Sequence, residues 1–560
     1  MQAEKKHKFL EEQKLLLFLE EKTKDLKNKI ALSKNSPVGW KELTYEGIGI
    51  LARHLASYLI DAGIQKGDKI CIISESRPEW ASVLFASVLA GATLVPIDIK
   101  LTKYEINSIL SNCLPRVLLV SNKFLEIAKL MKENIESIEE IIVVNEASKD
   151  KDIKSIYEMS DYKDKKWRHR GLNQTALIIY TSGTTGKPKG VEITYKNMMS
   201  QVKSISEGFP KIKGKKLLSI LPMNHLFELS VGFLTFLNLG ATIYYPQNLK
   251  PDNLFSILKE KQIAFMVVVP AFLKLIKTSI ENDLSKKPSW FKFLFKIKYN
   301  FAKFIPSYKI RRMLFPKIHK GLGGQFDGCI SGGAPLDLNV AKFINRLGIN
   351  IYEGYGLSEA SPVVTMNTPR ANKLGTVGRP ISGVDVKIDK ETGELLVKGD
   401  NIMKGYYGQP ELSAEVVEED GWLHTGDIAE IDKDGYVKIT GRIKNMIVLS
   451  GGKKVFPEEV ESVLEKSDKF LDVCVVGCIR KGGQKDGTEV VTAVVVPNKE
   501  ILGNTEDLYK VSKQEVNALS LQLAPYKRPV NVVISNEALP RTATSKIKRK
   551  EVKAFAEENI

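Results

Sequence analysis

The stretch ALIIYTSGTTGKPKGVEITY, Ala176 to Tyr195, decides how the rest of the chain reads. It opens as an apolar strand and passes into Thr, Ser, Gly and Lys. Gly183, Gly186 and Gly190 permit backbone turns denied to other residues. Such turns can aim several N–H groups at one anion. The hydroxyls of Thr181, Ser182, Thr184 and Thr185 add donors, and Lys187 and Lys189 add positive charge. This chemistry suits a polyphosphate. It is not a Walker A loop, which needs four residues between its first glycine and Gly-Lys, then Ser or Thr. Here only Thr184 and Thr185 separate Gly183 from Gly186, and Pro188 follows Lys187.

Working outward, strands and helices alternate on both sides of this segment. LTYEGIGILARHLASYLIDAG has helical spacing of Ile48, Leu51, Leu55, Leu59 and Ile60, and KICIIS follows as a short strand. ASVLFASVLAGATLVP, Ala81 to Pro96, is broken by Gly91 and reads as a buried helix and then a strand. KLLSILP, ATIYYP, AFMVVVP and INIYEG continue the rhythm to about Ile351. Strands interleaved with helices predict an α/β architecture with parallel pairing. Beyond Lys373, glycine turns separate short alternating segments, as in a small distorted β-barrel, with DKETGEL and DKDGYVKI as hairpins. After about Gly441, a loop, an amphipathic helix and the strands VCVVGCIR, VVTAVVVP and VNVVIS predict a small α+β unit.

The 560 residues suggest about three or four domain-sized units by length alone. A composition of 43% hydrophobic and 27% charged residues supplies enough apolar material for several cores. Five cysteines are too few for a disulfide framework; Cys474 and Cys478, the close pair, fall on a buried strand, where thiols act as small hydrophobes. No apolar stretch near the N-terminus is long enough for a signal peptide, and no run of about 18 apolar residues occurs. The reducing cytoplasm is therefore the default compartment. The net charge of +17, from 83 Lys+Arg against 66 Asp+Glu, attracts acidic partners. Zinc-finger spacings and RNA-binding motifs are missing, which argues against a nucleic-acid partner.

YTSGTTGKPKG resembles the phosphate-loop signature of the adenylate-forming superfamily, which includes acyl-CoA synthetases, peptide-synthetase adenylation domains and luciferases. Further motifs in the family's order extend the resemblance over nearly the whole chain. It implies a large N-terminal adenylation domain, residues 1–441, and a small mobile C-terminal domain, residues 442–560. It implies that the Gly333-Ala334-Pro335 loop, with Gly332 before it, lies against adenine. In YEGYGLSEASP it implies that Tyr355 stacks on the purine with Gly356 beside it in the ATP site, Ser358 meets phosphate and Glu359 binds Mg²⁺. Asp427 can accept both ribose hydroxyls, and Arg442 can bind ribose or phosphate through its fork of donors.

The resemblance makes Lys546, in TATSKIKR, the catalytic lysine; Ser545 stands where glycine is common. It places the hinge at Lys444, with Gly451 and Gly452 admitting the thiol acceptor's arm. The reaction implied is ATP-dependent: an acid attacks the α-phosphorus, pyrophosphate leaves, and the acyl-adenylate passes to CoA. LPMNHLFELSVGFLTFLNLG, Leu221 to Gly240, is similar to the acyl-site stretch of long-chain synthetases, with His225 near the carboxylate. Phe227, Val231, Phe233 and Leu234 either line an apolar tunnel or form core. FELS is distantly like the Phe-Asp-x-Ser of amino-acid-activating domains, but Glu228 stands in place of their Asp.

Finally, Leu284 to Phe326 holds no acidic residue. Lys292, Lys296, Lys298, Lys303, Lys309, Arg311 and Arg312 alternate with Trp290, Phe293, Phe295, Phe301, Phe304 and Phe315. That mixture suits peripheral contact with an anionic membrane face, docking of an acidic acyl carrier protein, or a helical hairpin with core aromatics and solvated lysines.

Overall fold

The computed structural model describes residues 21–37, 39–159, 167–168, 170–181, 188–449, 453–479, 489–503, 507–541 and 547–560. The chain forms two compact units rather than the three or four that length suggests. The first comprises Met1–Asp385 and Val397–Leu423; the second comprises Val386–Leu396 and His424–Ile560. Two large sheets share the first unit, so one unit absorbs what length alone would divide. This division follows packing and differs from the one expected at residue 442, which the resemblance sets at a hinge.

In the first unit, one sheet has seven strands, ordered Gly405–Tyr406, Lys189–Thr194, Thr175–Thr181, Thr93–Pro96, Lys69–Ile73, Val117–Val120 and Glu140–Val143. Its last five strands run parallel, as the helix–strand alternation predicts. Helix Glu79–Ala90 is buried along its whole length. That explains an apolar run without amphipathic period.

The other sheet has nine strands, ordered Arg379–Pro380, Val363–Met366, Asn350–Gly356, Gly328–Ser331, Phe265–Val268, Lys216–Ser219, Thr242–Tyr245, Ile30–Ser36 and Gly39–Thr44. The six strands from Asn350–Gly356 to Ile30–Ser36 are parallel. Antiparallel strands flank them at both edges. Open sheets of this kind bind ligands outside the carboxyl ends of their parallel strands.

The second unit begins in a four-stranded sheet ordered Val384–Ile388, Glu394–Gly399, Leu423–Ile431 and Val437–Arg442, where the sequence suggests a distorted barrel. Both expected hairpins form. Asp389 Oδ1 caps its turn through the Glu391 and Thr392 amides, and Asp432 Oδ1 does so through those of Asp434 and Tyr436. The C-terminal part packs helices Pro457–Leu464, Leu508–Ser520 and Arg549–Glu558 on a sheet ordered Phe470–Ile479, Glu489–Pro497 and Asn531–Ile534. Cys474 and Cys478 are buried on its first strand, and all five cysteines are free. Among the described residues no helix is long and apolar enough to cross a membrane.

Candidate active site

Three candidate segments of the first unit emerge from the carboxyl ends of parallel strands of the nine-stranded sheet. Leu221–His225 follows Lys216–Ser219, the Gly332–Pro335 loop follows Gly328–Ser331, and Tyr355 and Gly356 end Asn350–Gly356. Gly333 has a φ of +83°, and Gly333, Ala334 and Pro335 are exposed. A Cβ on Gly332 would stand 3.0 Å from Phe227 Cζ. The structure thus packs the loop expected to meet adenine directly against the stretch expected to meet the acid.

The phosphate-loop segment is the connection of a β-hairpin. Thr175–Thr181 pairs antiparallel with Lys189–Thr194, and Thr181 lies opposite Lys189. Ser182, Gly183, Thr184, Thr185, Gly186 and Lys187 lie outside the described residues. Lys189 Nζ lies 5.3 Å from the centroid of the Tyr406 ring. The Tyr406 hydroxyl donates to Glu359 Oε1 at 2.9 Å, and the Met403 amide donates to the Glu359 carbonyl at 2.8 Å. Burial first, and then the Glu359 charge, push the Tyr406 phenol well above its ordinary range, so it remains a donor. Ser358 shares a short 3₁₀ turn with Glu359.

Tyr406 was not singled out by sequence reasoning. Its signal, the Tyr406–Tyr407 pair, gains meaning only when strand Gly405–Tyr406 pairs with Val191 and Glu192. Asp98 was missed as well. It follows strand Thr93–Pro96, and its Oδ2 lies 3.4 Å from His225 Nε2, an ion-pair distance without hydrogen-bond alignment. Burial raises the Asp98 carboxyl, but His225 and the Lys100 amide outweigh it and hold the group below its usual value.

Residues Phe227–Thr235 form a π-helix, a rare geometry frequent at functional sites. Val231, Phe233 and Leu234 are fully buried, while Phe227 is half-buried and reaches the Gly332 loop. Glu228 is fully buried and accepts from Ser219 Oγ at 2.6 Å. Burial pushes its carboxyl up to about 8 despite that bond. A Cβ on Gly232 would fall 2.4 Å from Glu228 Oε1, so only glycine fits one turn on. Glu353, just before Gly354-Tyr355-Gly356, is buried too, and burial pushes it up to about 7.

Within the second unit, Asp427 and Arg442 face each other across adjacent antiparallel strands. Arg442 Nε lies 3.0 Å from Asp427 Oδ1. Lys444 is exposed in the 3₁₀ turn Ile443–Asn445. Gly451, Gly452 and Lys546 lie outside the described residues. The flanks of Lys546 are anchored: Arg541 and Ile547 form an antiparallel bridge, and Arg541 Nη2 lies 2.6 Å from Asp472 Oδ2. Arg549 reaches Glu461 Oε2 at 2.6 Å and the Val475 carbonyl at 2.7 Å. The arginine of the lysine motif is thus a structural bolt, a role that sequence alone did not assign.

Comparison with known families adds the deciding observation. The AMP-binding enzyme family matches residues 19–407, and the AMP-binding enzyme C-terminal domain matches residues 459–546. The chain belongs to the AMP-binding enzyme family. The long-chain-fatty-acid–CoA ligase FadD15 of Mycobacterium bovis is 30% identical, covering 78% of this chain and 76% of that protein. The feruloyl-CoA synthase of an Amycolatopsis species is 28% identical over 92% of this chain and 94% of its own. The chloroplastic long-chain-fatty-acid–[acyl-carrier-protein] ligase AEE15 of Arabidopsis thaliana is 31% identical over 69% of this chain and 61% of its own. Among solved structures, ATP-bound MatB from Rhodopseudomonas palustris shares the fold, with a TM-score of 0.78 and 23% identity over 97% of this chain and 99% of that one. This family member lies in the acyl-CoA synthetase branch and is an ATP-dependent acid–thiol ligase that works through an acyl-adenylate.

Proposed function

We propose that the acid is a long-chain fatty acid and that the thiol is CoA. The observation that carries this reading is the contact between Phe227, in the apolar stretch proposed to hold the acyl chain, and the Gly332 loop proposed to hold adenine. Glu228 supports it. A carboxyl that burial keeps protonated offers no anion to the ammonium of an amino acid. The resemblance to FadD15 supports it further.

In this reading, the loop Thr181–Lys189 and Ser358 bind the phosphates, the Gly333–Pro335 loop and Tyr355–Gly356 hold adenine, and Asp427 and Arg442 take the ribose. His225, oriented by Asp98, sits at the acid's carboxylate. Lys546 stabilises charge developing as pyrophosphate leaves. Lys444 is the hinge, and Gly451 and Gly452 flank the approach of the thiol.

Mg²⁺ fits the residues present. Tyr406 engages Glu359 Oε1, and the carboxylate has a second oxygen to offer a cation. Among the described residues no group of three or more His, Cys, Asp or Glu could hold a metal. Mg²⁺ takes one or two carboxylates and completes its shell with phosphate and water, so Glu359 alone can supply its protein ligand. Bound there, it would neutralise charge on the phosphates.

One further acceptor is favoured by a specific observation. The likeness to AEE15 supports an acyl carrier protein in place of CoA. ATP–pyrophosphate exchange across short, medium and long fatty acids, ferulate and indoleacetate tests the acid. Thioester formation with CoA against holo-carrier protein tests the thiol. Exchange peaking with an aromatic acid overturns the long-chain reading, and thioester formed with carrier protein alone overturns CoA.

A further inference from the structure

The helical excursion from Ser289 to Gly321 presents two unlike apolar faces. Helix Ser289–Ala302 turns Phe295, Tyr299 and Ala302 inward. Phe295 packs 5.4 Å from Phe315, Tyr299 lies 5.6 Å from Phe343, and Ala302 is fully buried. The inner face is therefore satisfied. On the other side, Trp290, Phe293, Leu294, Ile297 and Phe301 recur at three- and four-residue spacing and are all exposed, Trp290 at 67% and Phe293 at 66%. Phe304, at 77%, extends the stripe past the helix end. Ile310 and Met313 on the next helix, Tyr308–Leu314, are exposed as well. A free apolar stripe this long is costly in water unless something covers it.

The charges say what does. Helical spacing sets Lys292, Lys296 and Lys303 along one flank of the stripe and Lys298 along the other. Leu284 to Phe326 holds eleven lysines and arginines and no acidic residue. Next to Met313, a cleft of about 540 Å³ is lined by Lys259, Gln262, Arg312, His319 and Lys320. His319 is buried there, with its Nδ1 unpartnered among the described residues. An acidic protein would need the cations but leave a stripe of six large apolar side chains. An anionic bilayer takes both, because aromatic rings enter the acyl boundary while lysines reach back to phosphates.

We infer that the excursion Ser289–Gly321 is a docking surface for an anionic phospholipid membrane. Helix Ser289–Ala302 lies in the headgroup plane, Trp290, Phe293, Leu294, Ile297 and Phe301 enter the bilayer, and the cleft beside Met313 receives a lipid phosphate. The inference goes beyond the ligase reading and does not depend on turnover.

The test is co-sedimentation of the full chain with vesicles of phosphatidylcholine alone or mixed with phosphatidylglycerol. The protein pellets with the mixed vesicles and is released by raised salt, and Trp290 emission shifts to the blue, a change lost in Trp290→Phe. Combined Trp290→Ser, Phe293→Ser and Phe301→Ser weakens vesicle binding by about tenfold or more, as does combined Lys292→Glu, Lys296→Glu and Lys303→Glu. Neither set moves the thermal unfolding midpoint, since these side chains face outward. The inference is overturned by failure to bind mixed vesicles or by variants that bind as the parent does. It is also overturned if the variants lose affinity for an acidic carrier protein while keeping the vesicles.

Discussion

Tyr406 donates its phenol hydrogen to Glu359 Oε1 at 2.9 Å while its ring lies under Lys189 Nζ. One aromatic residue thus connects the end of the phosphate hairpin to the carboxylate proposed for Mg²⁺. A hydrogen bond to a charged group is worth about 1.5–3 kcal/mol, and this one restrains the orientation of the Glu359 carboxylate. Tyr406→Phe keeps the ring and removes that bond. We expect the Mg²⁺ needed for half-maximal ATP–pyrophosphate exchange to rise about tenfold, with an unchanged circular dichroism spectrum. An unchanged Mg²⁺ requirement would dismiss Tyr406 as a support for Glu359.

The two lysines assigned to different half-reactions separate by assay. Lys546→Ala should lower pyrophosphate exchange by about a hundredfold, the usual cost of removing one stabilising donor. It should leave transfer from a supplied acyl-adenylate to the thiol largely intact. Lys444 is exposed in the turn Ile443–Asn445, so Lys444→Pro stiffens the turn without opening a core. We expect the reverse pattern from it: normal exchange and slow thioester formation. Equal loss in both steps for Lys444→Pro would remove it as the hinge.

Arg549 carries a structural prediction. Glu461 is buried, and burial raises its carboxyl even with Arg549 alongside. Arg549→Ala would strand that group, and breaking a buried pair from one side costs about 3–5 kcal/mol. Urea unfolding of the full chain, followed by a probe in the second unit, should show a lowered midpoint, with partial recovery in Arg549→Ala combined with Glu461→Gln. No loss of stability in the single variant would mean that water replaces the guanidinium.

Much of this was legible in the sequence because local pattern and tertiary role agree. The apolar runs at Lys69–Ile73, Thr93–Pro96 and Phe265–Val268 are buried parallel strands, as their composition requires. The Gly332 loop follows such a strand and Tyr355 lies at the end of one, so their positions in the fold could be read from sequence. What escaped are residues whose meaning is a partner far away in the chain. Asp98 is ordinary until it faces His225, and Tyr406 until it meets Glu359. In sequence Glu228 only marks a departure from the Asp of amino-acid-activating domains; its burial beneath Gly232 is a packing fact that no spacing encodes. Phe233 and Leu234 fit tunnel or core equally in sequence, and the structure buries them completely.

Glu228 also sets a direction for pH dependence. Its carboxyl sits near 4.5 when unburied and is pushed up to about 8 in the fold, with Ser219 bound to it and Tyr245 nearby. Between these values the folded chain holds a proton that the unfolded chain has released. Stability therefore falls as pH rises through that window and levels off above it. The slope from this one group is at most about 1.4 kcal/mol per pH unit. Glu353, pushed up to about 7, acts in the same direction over a narrower range. Glu228→Gln keeps an acceptor for Ser219 but cannot ionise. Urea midpoints measured from about pH 5 to about pH 8 should slope downward in the parent and more gently in Glu228→Gln, with the variant gaining most at the alkaline end. Because Phe227 and Glu228 share the π-helix, the parent's exchange activity should hold up to about pH 8, where the folded carboxyl ionises, and decline above it, while Glu228→Gln should hold it longer. Parallel stability curves for the two proteins would show that the carboxyl titrates as it does in water, and the buried, protonated Glu228 would have to be abandoned.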